Sequence, residues 1–207
     1  MNKHFEDYKP QTFNQIVFEE HDIQQQLLGY ASGSKRKNIL LWGKPGGGKS
    51  LIADIIASSS RRENAIFSSD RATVINGDSW NKKSIDMILG AYNTGSSYVV
   101  IDEVDELKDN QKELTAFIDR YGRVGKLILT TNAAPASLLQ RLVDRCDVIE
   151  IKLPTSQSNF PQVRKMFNEN GCKHYTDEAI KTLIATTNGS WRQIETMFED
   201  EIYYNAR

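Results

Sequence analysis

Short apolar runs recur along the first three quarters of the chain, each closed by glycine, proline or charge. Asn38 to Trp42, Ala72 to Asn76, Tyr98 to Ile101, Lys126 to Thr131 and Val148 to Leu153 predict five strands. Segments with apolar residues at helical spacing lie before and between them. Glu19 to Tyr30 carries Ile23, Leu27 and Tyr30 on one face, and Gln111 to Tyr121 carries Leu114, Phe117, Ile118 and Tyr121. Ser50 to Ser59 and Lys83 to Tyr92 are the other two predicted helices. Strands alternating with helices predict an α/β domain whose parallel sheet is covered by helices on both faces.

After Pro154 the pattern changes. Phe160 to Asn168, Asp177 to Thr186 and Trp191 to Tyr204 read as three helices without strands, and Thr155 to Asn159 reads as a hinge. The expected organisation is therefore a base domain over residues 1–154 and a small helical domain over 155–207. Met1 to Gln15 reads as polar and extended around Pro10.

Charge narrows the range of functions. The 207 residues carry 26 Lys+Arg against 27 Asp+Glu, so a basic coat for nucleic acid is excluded while a local patch is not. Two cysteines, Cys146 and Cys172, fit neither a disulfide framework nor a four-ligand zinc site, and they suit a reducing, cytoplasmic setting. No apolar run approaches the ~20 residues of a membrane helix, so no membrane partner is expected.

The most specific chemistry lies at Gly43-Lys44-Pro45-Gly46-Gly47-Gly48-Lys49-Ser50, which fits G-x-x-x-x-G-K-[ST] between a predicted strand and a predicted helix. Glycines let backbone N–H groups surround phosphate oxygens, and the following helix N-terminus adds positive potential. Lys49 would reach the β- and γ-phosphates and Ser50 would ligate Mg²⁺. The third strand ends in Asp102 and Glu103, a metal partner and a base for the attacking water, with Asp105 and Glu106 as rivals for the base. The fourth ends in Thr130-Thr131-Asn132, whose amide could bond the water or the γ-phosphate. Arg141 and Arg145 precede the fifth strand. Arg192 stands on the first turn of the last helix, where a cation opposes the helix dipole unless an anion is near. Asn81-Lys82-Lys83-Ser84 is the first candidate for DNA contact, and Lys35 to Lys37 the second.

Together these residues resemble the AAA+ ATPases, and within them the clamp-loader subunits of the replication factor C and phage type. Tyr8-Lys9-Pro10, Phe13 and Ile16-Val17 resemble the family's N-terminal elements near the adenine, with Lys9 for Arg and Phe18 for Gly. Gly43 to Ser50 resembles Walker A, with Lys44 at a usual proline position, and Asp102-Glu103 resembles Walker B. Asn76-Gly77-Asp78-Ser79 is similar to the stretch after the second strand, Asn132 to sensor 1, and Gly189-Ser190-Trp191-Arg192 to sensor 2. Asp144-Arg145-Cys146 resembles Ser-Arg-Cys, whose arginine reaches the neighbouring subunit's ATP.

The resemblance implies an ATPase with ATP and Mg²⁺ bound between base and lid. It implies a nucleotide set of Val17, Gly43, Lys44, Pro45, Gly46, Gly47, Gly48, Lys49, Ser50, Leu51 and Arg192. Ser50 and Asp102 are implied at the metal, and Glu103, Asn132 and Arg145 in catalysis. Its partners would be copies of itself or homologous AAA+ subunits in a ring or helix, a sliding clamp and primed DNA. Clamp-loader subunits continue into an all-helical collar, whereas this chain reaches Arg207 with the lid helices.

Other classes fit less of the chain. A two-domain helicase, suggested by Asp102-Glu103-Val104-Asp105, needs a second RecA-like domain, and an ABC ATPase needs a Leu-Ser-Gly-Gly-Gln signature that is absent. A small P-loop kinase would not combine the acidic pair, the Asn-terminated strand and the helical C-terminal domain. A helicase loader, or an ATP-switched assembly module, remains the alternative to a clamp loader.

Overall fold

A computed structural model describes residues 4–59 and 72–205. The elements in chain order are α1 (His21–Ala31), β1 (Asn38–Trp42), α2 (Lys49–Ser59), β2 (Val74–Asn76), α3 (Lys82–Asn93), β3 (Tyr98–Asp102), α4 (Gln111–Tyr121), β4 (Lys126–Thr131), α5 (Gln140–Val143), β5 (Cys146–Glu150), α6 (Ser156–Glu169), α7 (Asp177–Thr186) and α8 (Trp191–Asn205). Contacts divide the chain into two compact units. One holds Asp22–Gly43 and Lys49–Ile151, and the other holds Met1–His21, Lys44–Gly48 and Lys152–Arg207.

The first unit is built on a five-stranded sheet of order β2-β3-β4-β1-β5, parallel throughout. Its central strands read as unbroken apolar runs because both of their faces are covered. Leu40, Val99, Ile101, Leu127 and Leu129 point to the face where Ile88 of α3, Leu114 and Phe117 of α4 and Leu142 of α5 complete a core. Helix α2 buries Ile52, Ala53, Ile55 and Ile56 and packs along β1, β3 and β4. The α/β architecture expected from the alternation is the one observed.

Two edges differ from expectation. The fifth strand runs from Cys146 to Glu150, starting two residues and ending three residues earlier than predicted, and its register starts at Asn38↔Cys146. As an edge strand it leaves Val148 exposed, so its apolar residues do not mark its limits. The second strand shortens to Val74–Asn76; Ala72 and Thr73 lie outside it.

The second unit is helical. Val163, Met166 and Phe167 of α6, Ile180 and Ile184 of α7 and Ile194 and Phe198 of α8 share one apolar cluster. Phe5 belongs to it too, with its ring 6.4 Å from Trp191 and 6.5 Å from Phe198. The N-terminal segment is extended at Lys9 and Thr12, on either side of Pro10, and is flanked by two 3₁₀ turns, Phe5–Tyr8 and Phe13–Gln15, that each bury a phenylalanine. Sparse apolar residues made it look polar, yet those few are the ones that pack.

Residues 155–159 form the start of a helix rather than a loop. Thr155 is the N-cap of α6, its Oγ1 accepting from the Ser158 N–H at 3.2 Å, and the helix begins at Ser156. The polar run Ser-Gln-Ser-Asn and Pro161 within the helix disguised this first turn. Asn159 in that turn is fully buried, and neither amide atom has a hydrogen-bond partner among the described residues. An orphaned buried amide costs about 1–3 kcal/mol. Asn159→Leu, close in shape, should therefore raise the thermal unfolding midpoint by roughly 2–4 °C for each kcal/mol relieved; a lower midpoint would show that the amide is needed.

Candidate functional site

Parallel strands deliver their carboxyl ends to one rim of a sheet, and there Lys49, Ser50, Asp102, Glu103 and Asn132 gather, whereas Arg145 stands at the opposite rim, just before β5. Lys49, the first residue of α2, is buried, and its Nζ donates to the Gly43 carbonyl at 2.9 Å and to Asn132 Oδ1 at 2.7 Å. Walker A and the end of β4 are thus joined through one ammonium. Ser50 Oγ lies 2.9 and 3.1 Å from the two carboxylate oxygens of Asp102, joining α2 to β3.

Glu103 follows Asp102 in a left-handed conformation, φ 55° and ψ 54°, uncommon for a residue other than glycine. Two neighbours accommodate it. Its N–H donates to Thr130 Oγ1 at 3.2 Å, and the same hydroxyl donates to Asp102. Gly77 lies so close to the Glu103 carbonyl that a Cβ there would collide with it. The Glu103 side chain is exposed. Among its rivals, Asp105 accepts from Thr131 Oγ1 at 2.6 Å, whereas Glu106 is exposed with Lys108 at 3.7 Å. The buried amide of Gln111 steadies this turn, donating to the Val104 carbonyl and accepting from Leu139 N–H at 2.7 Å.

Thr130, Thr131, Gly77 and Gln111 are supports to which the sequence reading gave no role of their own. The two threonines had a readable signal: hydroxyls at the C-terminal end of a strand beside the candidate amide.

Within the helical unit the middle of the phosphate loop, Lys44–Gly48, meets the start of α8. The Trp191 N–H donates to the Gly46 carbonyl at 3.0 Å. Gly46 has φ 81°, and a Cβ there would strike Ser190 Oγ, so both its backbone angle and its neighbour require glycine. Arg192 is exposed on that first turn, which carries no acidic residue. Val17 is half-buried after the second 3₁₀ turn, and Leu51 half-buried in α2.

Arg145 lies between α5 and β5. Its Nε and Nη2 bind Asp119 Oδ1 and Oδ2 at 2.7 and 2.8 Å, and Nη1 donates to the Arg141 carbonyl. The hydrogen bonds from Arg145 hold the Asp119 carboxyl below the usual carboxylate range. Cys146 beside it is a free thiol pushed up to about 12 by burial, an inert group.

A hydroxyl and a carboxylate within hydrogen-bond reach form a donor set suited to a hard cation that keeps several waters and takes its remaining ligands from phosphate. No cluster of three or more His, Cys, Asp or Glu among the described residues forms a metal cage, and no described helix is long and apolar enough to cross a membrane.

The chain is similar to known proteins. The replication factor C large subunit of Methanococcus maripaludis strain C5 is 27% identical over 206 residues, which is 93% of this chain and 40% of that protein. The replication factor C small subunit 2 of Pyrobaculum arsenaticum is 23% identical over 195 residues, 91% of this chain and 60% of the relative. The chain thus spans about 40–60% of the length of these relatives. In fold it is similar to domain III of the Thermotoga maritima replication initiation protein DnaA, with a TM-score of 0.65 at 16% identity over 94% of this chain and 87% of that one. The model of one family matches residues 39–154, more than half of the sequence, from β1 to the end of the sheet unit, and the chain belongs to it: the ATPase family associated with various cellular activities (AAA).

Proposed function

We propose that this chain binds ATP with Mg²⁺, hydrolyses it through Glu103, and works as a clamp-loader-like subunit in DNA replication. The observation that carries the ATPase part is the pairing of Lys49 with Asn132 and of Ser50 with Asp102 at the strand ends. The clamp-loader part rests on the similarity to the replication factor C subunits, 23–27% identical over most of this chain.

In this reading the loop Gly43 to Ser50 holds the phosphates through backbone N–H groups and Lys49. Ser50 and Asp102 would hold Mg²⁺, which supplies charge neutralisation at the β- and γ-phosphates. Glu103 accepts a proton from the attacking water, and Asn132 orients that water or the γ-phosphate. Arg192, without a carboxylate beside it on its turn, meets phosphate charge from α8, and Val17 and Leu51 border the rest of the nucleotide. Residues 155–207 act as a lid on a base of residues 1–154. Arg145 serves in trans, at the ATP of a neighbouring copy or a homologous subunit. Sliding clamp and primed DNA are the partners.

The test of nucleotide binding is Lys49→Ala. Losing a charged donor removes about 1.5–3 kcal/mol, so Kd for ATP should rise roughly ten- to a hundredfold. Equal affinity in titration calorimetry would overturn the phosphate-loop reading. Steady-state turnover with and without sliding clamp and primed DNA tests the partners: stimulation by both supports a loader, and indifference to both, with ATP-dependent assembly, favours an assembly module.

A further inference from the structure

The geometry points to Asp119 as the positioning residue for Arg145: it closes one edge of the guanidinium and leaves one N–H on each terminal nitrogen for a phosphate of the neighbouring subunit, an inference that rests on the in-trans reading of Arg145.

The donor inventory carries the argument. A guanidinium has five N–H bonds in a fixed plane. Asp119 takes one from Nε and one from Nη2 in a bidentate fork, and the Arg141 carbonyl takes one from Nη1. One N–H on each terminal nitrogen is left without an acceptor among the described residues. The pair therefore does not consume the group; it fixes the plane in which the remaining donors lie. The backbone is fixed as well. The Arg145 carbonyl accepts from Asn38 Nδ2 at 3.1 Å, and Asn38 Oδ1 accepts from Leu127 N–H at 3.0 Å, so a buried asparagine of β1 pins residue 145 to the sheet. A long, half-exposed side chain is thereby held at its root by β1 and at its tip by α4 and α5.

An arginine acting on another subunit's ATP must be ordered before the subunits meet, or the ordering is charged against the contact. Immobilising a rotamer-rich side chain costs about 0.5–1.5 kcal/mol, which corresponds to roughly a two- to tenfold change in rate. Asp119 supplies that order in advance. Its carboxylate also offsets the guanidinium charge, so the opposite effect is physically available: Asp119 could compete with the phosphate.

The experiment is turnover by the full chain under assembling conditions, comparing Asp119→Asn, Asp119→Glu and Arg145→Ala. Asp119→Asn should lower kcat roughly two- to tenfold with Kd for ATP unchanged, and Asp119→Glu should recover part of the loss. Asp119→Asn added to Arg145→Ala should cause no further drop. Mixing Asp119→Asn with Glu103→Gln should restore activity, because the Glu103→Gln chain donates an intact Arg145 with its own Asp119. No restoration in the mixture would place the defect in the nucleotide-holding chain and overturn the inference. Unchanged or faster turnover in Asp119→Asn while Arg145→Ala is impaired would overturn it alone, with Asp119 a competitor or a bystander. Full activity in Arg145→Ala would overturn the in-trans reading and this inference together.

Discussion

Glu103→Gln should bind ATP as the parent chain does and turn it over about 10²–10⁴-fold more slowly, the usual worth of a positioned general base. The substitution is clean here for structural reasons. The left-handed backbone of residue 103 is held by the Thr130 hydroxyl and by the missing side chain of Gly77, neither of which touches the carboxylate. Glutamine keeps size and shape and loses only basicity. Asp102, Ser50 and Lys49 keep their partners, so affinity should be unaffected and the ATP-bound state should accumulate. Single-turnover kinetics beside equilibrium binding separate the two effects. Parental turnover would transfer the base role, and Glu106 is the first alternative, because Asp105 already accepts from Thr131.

Arg145→Ala should be impaired by as much as ~10³–10⁵-fold, the range that arginine fingers supply in GTPases. The lost guanidinium would act on charge developing at a neighbour's phosphates, where Lys49 and the metal already neutralise the ground state. Complementation locates the effect. Arg145→Ala and Glu103→Gln chains, each inactive alone, should regain partial activity when mixed, since some interfaces join an intact Glu103 to an intact Arg145. Absence of recovery in a proven mixed assembly would confine Arg145 to its own subunit. Full activity of Arg145→Ala would pass the role to Arg141, one turn earlier and exposed.

Local chemistry was readable from the sequence where a short stretch performs one task. The phosphate loop declares itself because glycine spacing, lysine and the flanking strand and helix lie within fifteen residues, and the same holds for the acidic end of β3. The resemblance to AAA+ ATPases and replication factor C followed from these stretches, and the family match and relatives agree with it. Contacts between distant residues left no such trace. Asp119 and Arg145 are 26 positions apart, on α4 and beyond α5, and neither stands out from ordinary surface charge. Phe5 joins the helical cluster from the opposite end of the sequence. The first turn of α6 was misread because serine, glutamine and asparagine favour loops by composition, while the signal that mattered was a single threonine hydroxyl at the cap.

The division of the chain into two units also sets an order of events during synthesis. The sheet unit spans residues 22–151 apart from five loop residues, so all its strands leave the ribosome ahead of α6. The helical unit is discontinuous: Phe5 and Tyr8 precede the sheet unit in the chain, and Phe198, on which both their rings pack, follows it. Domains assembled from distant segments carry the loop-closure entropy of everything between them. Between the synthesis of Tyr8 and that of Phe198 the nascent chain therefore exposes these aromatic rings, a natural target for a holding chaperone. Trp191, which anchors Gly46, belongs to the same later segment, so the phosphate loop gains this support only after every strand of the sheet unit has been made.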